Sequence, residues 1–369
     1  MDVPAEPVLP DHGGACLDGV VPAILGRHAG VPDWFPGLVA AADQVVLLVL
    51  DGLGWEQLRQ WEGLVPNLAG MTGSAITTVA PSTTATALTS LTTGAAPAEH
   101  GVVGYRIRVE GDEVLNVLRW KTGGGDARQR VPPRRFQPLE PFAGTKPAVV
   151  TKGEFHDTGF TGAHLAGARI SGWRMPSTLA HTVGELLVAG EPFVYAYYPG
   201  VDTVAHHLGL GGAYEAELVA ADRLVGDVLA ALPAGAALVV VSDHGQLDVG
   251  DAALPVHTRV MDSVRLLSGE GRFRWLHARP GMADRLEAAA REHHGDDAWV
   301  RTRGQAEAEG WFGGPLTPEV ASRLGDVVLA ARRPVAFLDP ADIGEVTMCS
   351  RHGSLTAAEM FVPLLAARG

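Results

Sequence analysis

The chain of 369 residues is long enough to bury a large α/β core with an insertion or to divide into two domains, and its 46% hydrophobic and 19% charged content excludes a disordered chain. Twenty-nine basic residues against 42 acidic ones leave a net charge of −13, which excludes a binder that grips nucleic-acid backbone through a basic face. Two cysteines, Cys16 and Cys349, are too few and too far apart for a disulfide framework or a cysteine metal cluster, and each is expected to be a buried apolar residue.

The N-terminal stretch "MDVPAEPVLPDHGGACLDG" lacks a basic n-region, and no apolar stretch approaches the roughly 20 residues that span a bilayer. A cytoplasmic protein with no membrane partner is expected. Residues 45–50, "VVLLVL", read as a strand covered on both faces, and the run ends on Asp51, followed by Gly52 and Gly54. In open α/β sheets ligands collect at the carboxyl ends of strands, so Asp51 is either a site residue or an ordinary helix cap or turn residue. Residues 79–94, "VAPSTTATALTSLTTG", set the hydroxyls of Ser82, Thr83 and Thr84 behind Pro81 and ahead of a segment with helical potential. The Gly- and Arg-rich stretch 122–136 reads as a surface connection.

Further strand-like runs occupy 146–152, 192–202 and 235–245. Between them, helical spacing brings together Leu179, Val183, Leu186 and Leu187, and then Leu218, Leu224, Val225, Val228 and Leu229. Alternating strands and helices predict an α/β fold with a mostly parallel central sheet between helical layers. From about Pro255 the texture shifts to short basic and aromatic pieces, a polar helix at 282–293 and a strand at 326–331. The division expected is a core of residues 1–254 and 331–369 with an inserted α+β subdomain at 255–330. The tail carries a last strand in "FVPLLAA".

Three of the apolar runs end in carboxylates: Asp51, then Asp202 with His206 four residues on, then Asp243 beside His244. A late His352 stands in "SRHGSLT". Aspartate and histidine suit zinc, with manganese as the alternative. The i to i+4 spacing puts Asp202 and His206 on one face if that strand runs into a helix. A hydroxyl at the start of a helix can attack phosphorus while the first-turn amides hold phosphate oxygens; the plain reading of "PSTTAT" is a cap and first turn.

Asp51, "PSTT" with "TTGAAPAEHGVVG", "DTVAHH", "SDHG" and the late "RHG" occur in the order found in the alkaline phosphatase superfamily, and most resemble its type I phosphodiesterase/nucleotide pyrophosphatase branch. The resemblance implies the superfamily's three-layer sandwich, two bound Zn2+ and hydrolysis of a small phosphate ester, such as a nucleotide, through a phospho-threonine. It implies Asp51, Asp243 and His244, with Thr84, as ligands of the metal that activates the nucleophile, and Asp202, His206 and His352 as ligands of the other. The nucleophile of the family's P-T-K-T-F-P-N pattern falls on Thr84, with Thr83 as the register alternative. That pattern's aromatic, proline and asparagine fall on Ala85, Thr86 and Ala87, so another group must hold the phosphate oxygen. Lys152, which ends a strand-like run, is the preferred substitute, with Tyr105 and Arg106 beside it. The segment "GEFHDTGFTGAHLAGA" resembles the one that lines the substrate cavity in this branch, and Tyr197, Tyr198 and Trp173 are candidates to stack a base or simply to fill the core. A phosphomonoesterase, a phosphonate hydrolase or a mutase of the same superfamily stays open, as does a metal-binding scaffold; a sulfatase is disfavoured, because no Cys/Ser-x-Pro-x-Arg motif lies near residue 84.

Overall fold

Six consecutive apolar residues make a stable strand only if both faces are covered, and Val45–Leu50 (β1) is the middle strand of a seven-stranded sheet, buried at every position. The computed structural model describes residues 6–342 and 347–369. The other strands are Thr72–Thr77 (β2), Ala148–Lys152 (β3), Arg169–Trp173 (β4), Phe193–Tyr198 (β5), Ala237–Val241 (β6) and Phe361–Arg368 (β7), in the order β2-β7-β6-β1-β5-β3-β4. Pairing is parallel from β6 through β1, β5 and β3 to β4, whereas β7 runs antiparallel to both β6 and β2.

Alternation along β1 separates two apolar cores. Val45, Leu47 and Val49 face the side covered by Thr84–Thr93 (α1), through Leu88 and Leu91. Val46, Leu48 and Leu50 face the side covered by Pro176–Val188 (α2), Gly200–Leu208 (α3) and Gly212–Ala231 (α4), through Leu179, Val183, Val201, Leu218 and Val225. Each such side chain contributes about 1.5 to 3 kcal/mol on burial. The expected helical stripes are therefore the buried ones, with Leu186 and Leu229 half-buried at their margins. Among the described residues no helix is long and apolar enough to cross a membrane.

Between β6 and β7 the chain builds a four-stranded antiparallel sheet from Val264–Glu270, Phe273–Ala278, Val327–Ala331 and Ala298–Thr302, covered by the helix Ala283–His294. At the turn between its first two strands, Arg272 leaves the sheet and meets Glu359; both side chains are fully buried. The pair is bidentate, Nε to Oε1 at 2.7 Å and Nη2 to Oε2 at 2.8 Å, and Nη1 donates to the carbonyls of Arg333 and Val335. Glu359 also accepts from Ser354 N–H and the Thr356 hydroxyl, and its carbonyl accepts from Gly245 N–H at 2.9 Å. A second small antiparallel sheet joins Arg106–Arg108, Val114–Asn116, Lys121–Thr122 and Gly125–Asp126. The stretch expected as a surface connection at 122–136 is thus partly structured: its hairpin tip is exposed, but Ala127 and Phe136 are anchored in the core.

Candidate active site

The order β6-β1-β5 places three chain exits side by side at one sheet edge. Asp51 follows β1 and Asp243 follows β6, while Asp202 lies in the first turn of α3, just after β5; its N–H donates to the Asp51 carbonyl at 3.0 Å. Gly52 is required between them. It has φ +77°, its N–H donates to Asp243 Oδ1 at 3.1 Å, and a Cβ there would lie 2.8 Å from Asp202 Cβ. His206 sits one turn beyond Asp202 on α3, His244 follows Asp243, and His352 comes in from the segment before β7.

Each of the three imidazoles is pinned through Nδ1 to a backbone carbonyl: His206 to Ser350 at 2.7 Å, His244 to Gly245 at 3.0 Å and His352 to Ser82 at 2.9 Å. A carbonyl only accepts, so Nδ1 carries the hydrogen and Nε2 presents a lone pair in the neutral ring. These Nε2 atoms face carboxylates. His244 Nε2 lies 3.3 Å from Asp51 Oδ1 and 3.5 Å from Asp243 Oδ2, and His206 Nε2 lies 3.3 Å from Asp202 Oδ1, with His352 Nε2 at 3.8 Å from the same atom. Those three oxygens, Asp51 Oδ1, Asp202 Oδ1 and Asp243 Oδ2, are buried and have no hydrogen-bond partner among the described residues. Lone pairs that face carboxylates at this range repel unless a cation lies between them. The donor atoms form two groups, Asp51 with Asp243 and His244, and Asp202 with His244 and His352, each within 4.8 Å. His244 is common to both and its ring stacks on His352 at 3.5 Å.

Burial, followed by the charges of Asp243 and Asp202, holds the Asp51 carboxyl well above its ordinary range; burial likewise raises Asp243. Burial, then His244 and His206, pushes His352 well below the usual imidazole value, which keeps it neutral and free to ligate. A raised folded-state pKa means the metal-free fold binds protons more tightly than the unfolded chain, so the contribution of Asp51 and Asp243 is fully present below the ordinary carboxylate pKa and is lost as pH rises through their raised values. At neutral pH Asp51→Asn is therefore expected to raise the melting temperature of the metal-free protein while shrinking the rise produced by added metal. Calorimetry with and without chelator checks both signs.

Thr84 is the first residue of α1 and Thr83, in extended conformation, its cap. Thr84 Oγ1 lies 3.1 Å from His244 Nε2. Two cavities meet here, one of about 220 Å³ and one of about 260 Å³, and Thr84, Leu118 and Asp202 line both. Phe155, Phe160, His164 and Leu165, all from the segment 153–168, wall the first. Tyr105, Arg119, Glu270 and Arg351 wall the second.

Tyr105 thus lines the site, its hydroxyl accepting from Asn116 Nδ2 at 2.6 Å, but the other two proposed phosphate ligands do not. On β3, Thr151 faces the first cavity, so strand alternation turns Lys152 to the opposite face, where Nζ pairs with Glu154 at 2.6 Å beside Trp173 and Arg174. Arg106 alternates away from Tyr105 in the same manner and is buried against Asp339. Tyr197 lines the first cavity and is more than filler, because its hydroxyl donates to Asp51 Oδ2. Tyr198 points to the other core face, bonded to Glu217 and stacked on Trp173. Arg119, Glu270 and Arg351 went unforeseen; the one signal was the carboxylate Glu270 closing a strand-like run.

The profile of a family described as type I phosphodiesterase / nucleotide pyrophosphatase matches residues 45–145 and, overlapping, 118–355. The chain belongs to this family. Among solved structures, this phosphodiesterase-family chain is similar to murine ectonucleotide pyrophosphatase / phosphodiesterase 5, with a TM-score of 0.66 at 14% identity over 87% of each chain. An inactive variant of the murine protein in complex with AMP gives 0.66 at 13% identity, covering 88% of this chain and 87% of that one. The human counterpart gives 0.64 at 14% identity over 87% of each. No curated protein matches. At these identities the solved structures establish the shared fold, while the profile establishes the phosphodiesterase family.

Proposed function

We propose that the protein hydrolyses phosphodiester or pyrophosphate bonds in small nucleotide-like substrates through a phosphoryl group carried on Thr84. The observation that carries this reading is the position of Thr84 Oγ1, 3.1 Å from His244 Nε2 and at the junction of the two cavities. Thr83, one residue earlier, makes no such contact among the described residues, which favours Thr84 over the register alternative. Asp51, Asp243 and His244, with Thr84, would hold one ion; Asp202, His206 and His352 would hold the other, with His244 close enough to serve both groups. Both ions are taken to be Zn2+, with Mn2+ accepted by the same donors. Such a pair, when bound, neutralises charge on the attacking and leaving oxygens.

The first-turn amides of α1 lack intrahelical partners and sit beside Thr84, so they take the role of the family's asparagine, whose position, Ala87, is buried within the helix. Phe155, Phe160 and Leu165 offer a base an aromatic and apolar slot, and the AMP bound by the murine relative supports a nucleotide as substrate. The second cavity, walled by Arg119, Glu270 and Arg351, then receives the leaving group.

The first experiment compares bis-p-nitrophenyl phosphate with p-nitrophenyl phosphate, using protein whose zinc has been counted. A diester preference with two zinc ions at the Asp/His ligands supports the reading, and a monoester preference moves the protein to the phosphatase or mutase side. Phe160 stacks on His164 at 3.9 Å, and Phe160→Ala is expected to raise KM for nucleotidyl substrates roughly five- to tenfold. Turnover of bis-p-nitrophenyl phosphate at saturation should change little. Equal losses on both substrates would remove the base from the first cavity.

A further inference from the structure

Away from the Asp/His centre, the segment 11–18 gathers a second set of metal-binding side chains. Asp11 organises its turn: the carboxylate accepts from Ala15 N–H at 2.8 Å, the carbonyl accepts from Gly14 N–H, and its own N–H is held by Thr77 Oγ1. Gly13 supplies the left-handed residue, φ +81°. The turn brings His12 Nδ1 to 2.5 Å from Asp18 Oδ2 and 4.0 Å from Cys16 Sγ, with one donor atom of each residue inside a 4.8 Å span. Cys16 is fully buried, whereas His12 and Asp18 open onto a groove of about 720 Å³ that also touches Trp34 and Glu99. The far edge of the His12 ring packs on Gly313, where a Cβ would lie 2.8 Å from Nε2, so the ring is wedged with Nδ1 toward the other two donors.

We propose that His12, Cys16 and Asp18 bind a zinc-like divalent cation, separate from the catalytic centre. Thiolate, imidazole and carboxylate form a tetrahedral zinc set, and the groove leaves the fourth position to water. Bonds of about 2.0 to 2.3 Å place the donors of a tetrahedron about 3.3 to 3.7 Å apart, so binding draws Cys16 Sγ closer and parts Asp18 from His12. The Cys16 thiol proton passes to solvent and the imidazole hydrogen moves from Nδ1 to Nε2. The role is structural. Cys16 bridges to Thr77 at the end of β2, and the next residue, Thr78, donates its hydroxyl to the Asp243 carbonyl, so the ion braces the strand end that leads to Thr84.

The test is a cobalt titration of the full chain after chelation. The catalytic donors are all oxygen and nitrogen, so a thiolate-to-cobalt charge-transfer band reports a cysteine ligand alone. The band is expected in the wild type and in Cys349→Ser, to vanish in Cys16→Ser, and to need at least tenfold more cobalt in Asp18→Asn. Native metal content should fall from three ions per chain to two in Cys16→Ser. A folded wild type that shows no band at saturating cobalt overturns the proposal, even if Cys16→Ser does not fold; so does a band that depends on Cys349 instead. Restored diester hydrolysis without the band would sink this site and leave the catalytic reading standing. The band without hydrolysis would do the reverse.

Discussion

Thr84→Ala is expected to abolish turnover, lowering kcat by roughly 10⁴-fold or more on any diester the wild type cleaves. The loss should come without unfolding, since Thr84 is buried at the start of α1 and removal of its hydroxyl leaves the helix cap, Thr83, in place. Thr83→Ala is the control, expected within a few-fold of wild type. Rapid quenching of the wild type should trap phosphate on the peptide that contains Thr84, read by mass spectrometry. Activity retained by Thr84→Ala with metals bound would remove the residue from the chemistry. Loss in Thr83→Ala alone would shift the nucleophile by one position.

Glu359→Ala is expected to destabilise the protein by about 3 to 5 kcal/mol, because it strands the buried Arg272 guanidinium without its counter-charge. The carboxylate serves four groups at once: two guanidinium nitrogens, the Ser354 amide and the Thr356 hydroxyl. Replacing both ends with apolar residues, as in Arg272→Met with Glu359→Leu, should recover much of that loss. Urea unfolding of Arg272→Met, Glu359→Leu and their double variant gives the coupling energy; equal stability of Glu359→Ala and wild type would show that the pair contributes nothing net.

The parts legible in sequence share one cause. β1, β5 and β6 are covered on both faces, so they are apolar throughout, and the same position at the sheet centre puts their carboxyl ends at the site. Apolar run and terminal carboxylate therefore came as a unit, and Asp51, Asp202 and Asp243 could be read together. β2 could not be read, because Thr72, Gly73 and Ser74 are exposed and carry neither an apolar run nor an alternation. Of the inserted strands only Val327–Ala331 was legible, and the others were hidden for the opposite reason. Arg272, Arg274 and His277 look like surface residues, yet they are buried because carbonyl oxygens, Glu359 and Ser268 satisfy them. Lys152 failed as a site residue through the phase of a two-residue period: strand position was legible, but which face each residue took depended on neighbours β5 and β4. The second cavity draws on residues near 105, 119, 270 and 351, a grouping that only the fold creates.

The place of β7 in the sheet bears on how the protein is made. β7 is the last of the seven strands to be synthesised, yet it lies between β6 and β2, and β2 finds its partner only when Phe361–Ala366 has arrived opposite Thr72–Thr77. Through most of synthesis β2 is a bare edge, open to pairing with another nascent chain. Its weak strand character then has a use. Thr72, Gly73 and Ser74 make a poor template for stray association, and the same residues that concealed the strand from sequence reading protect it while it waits.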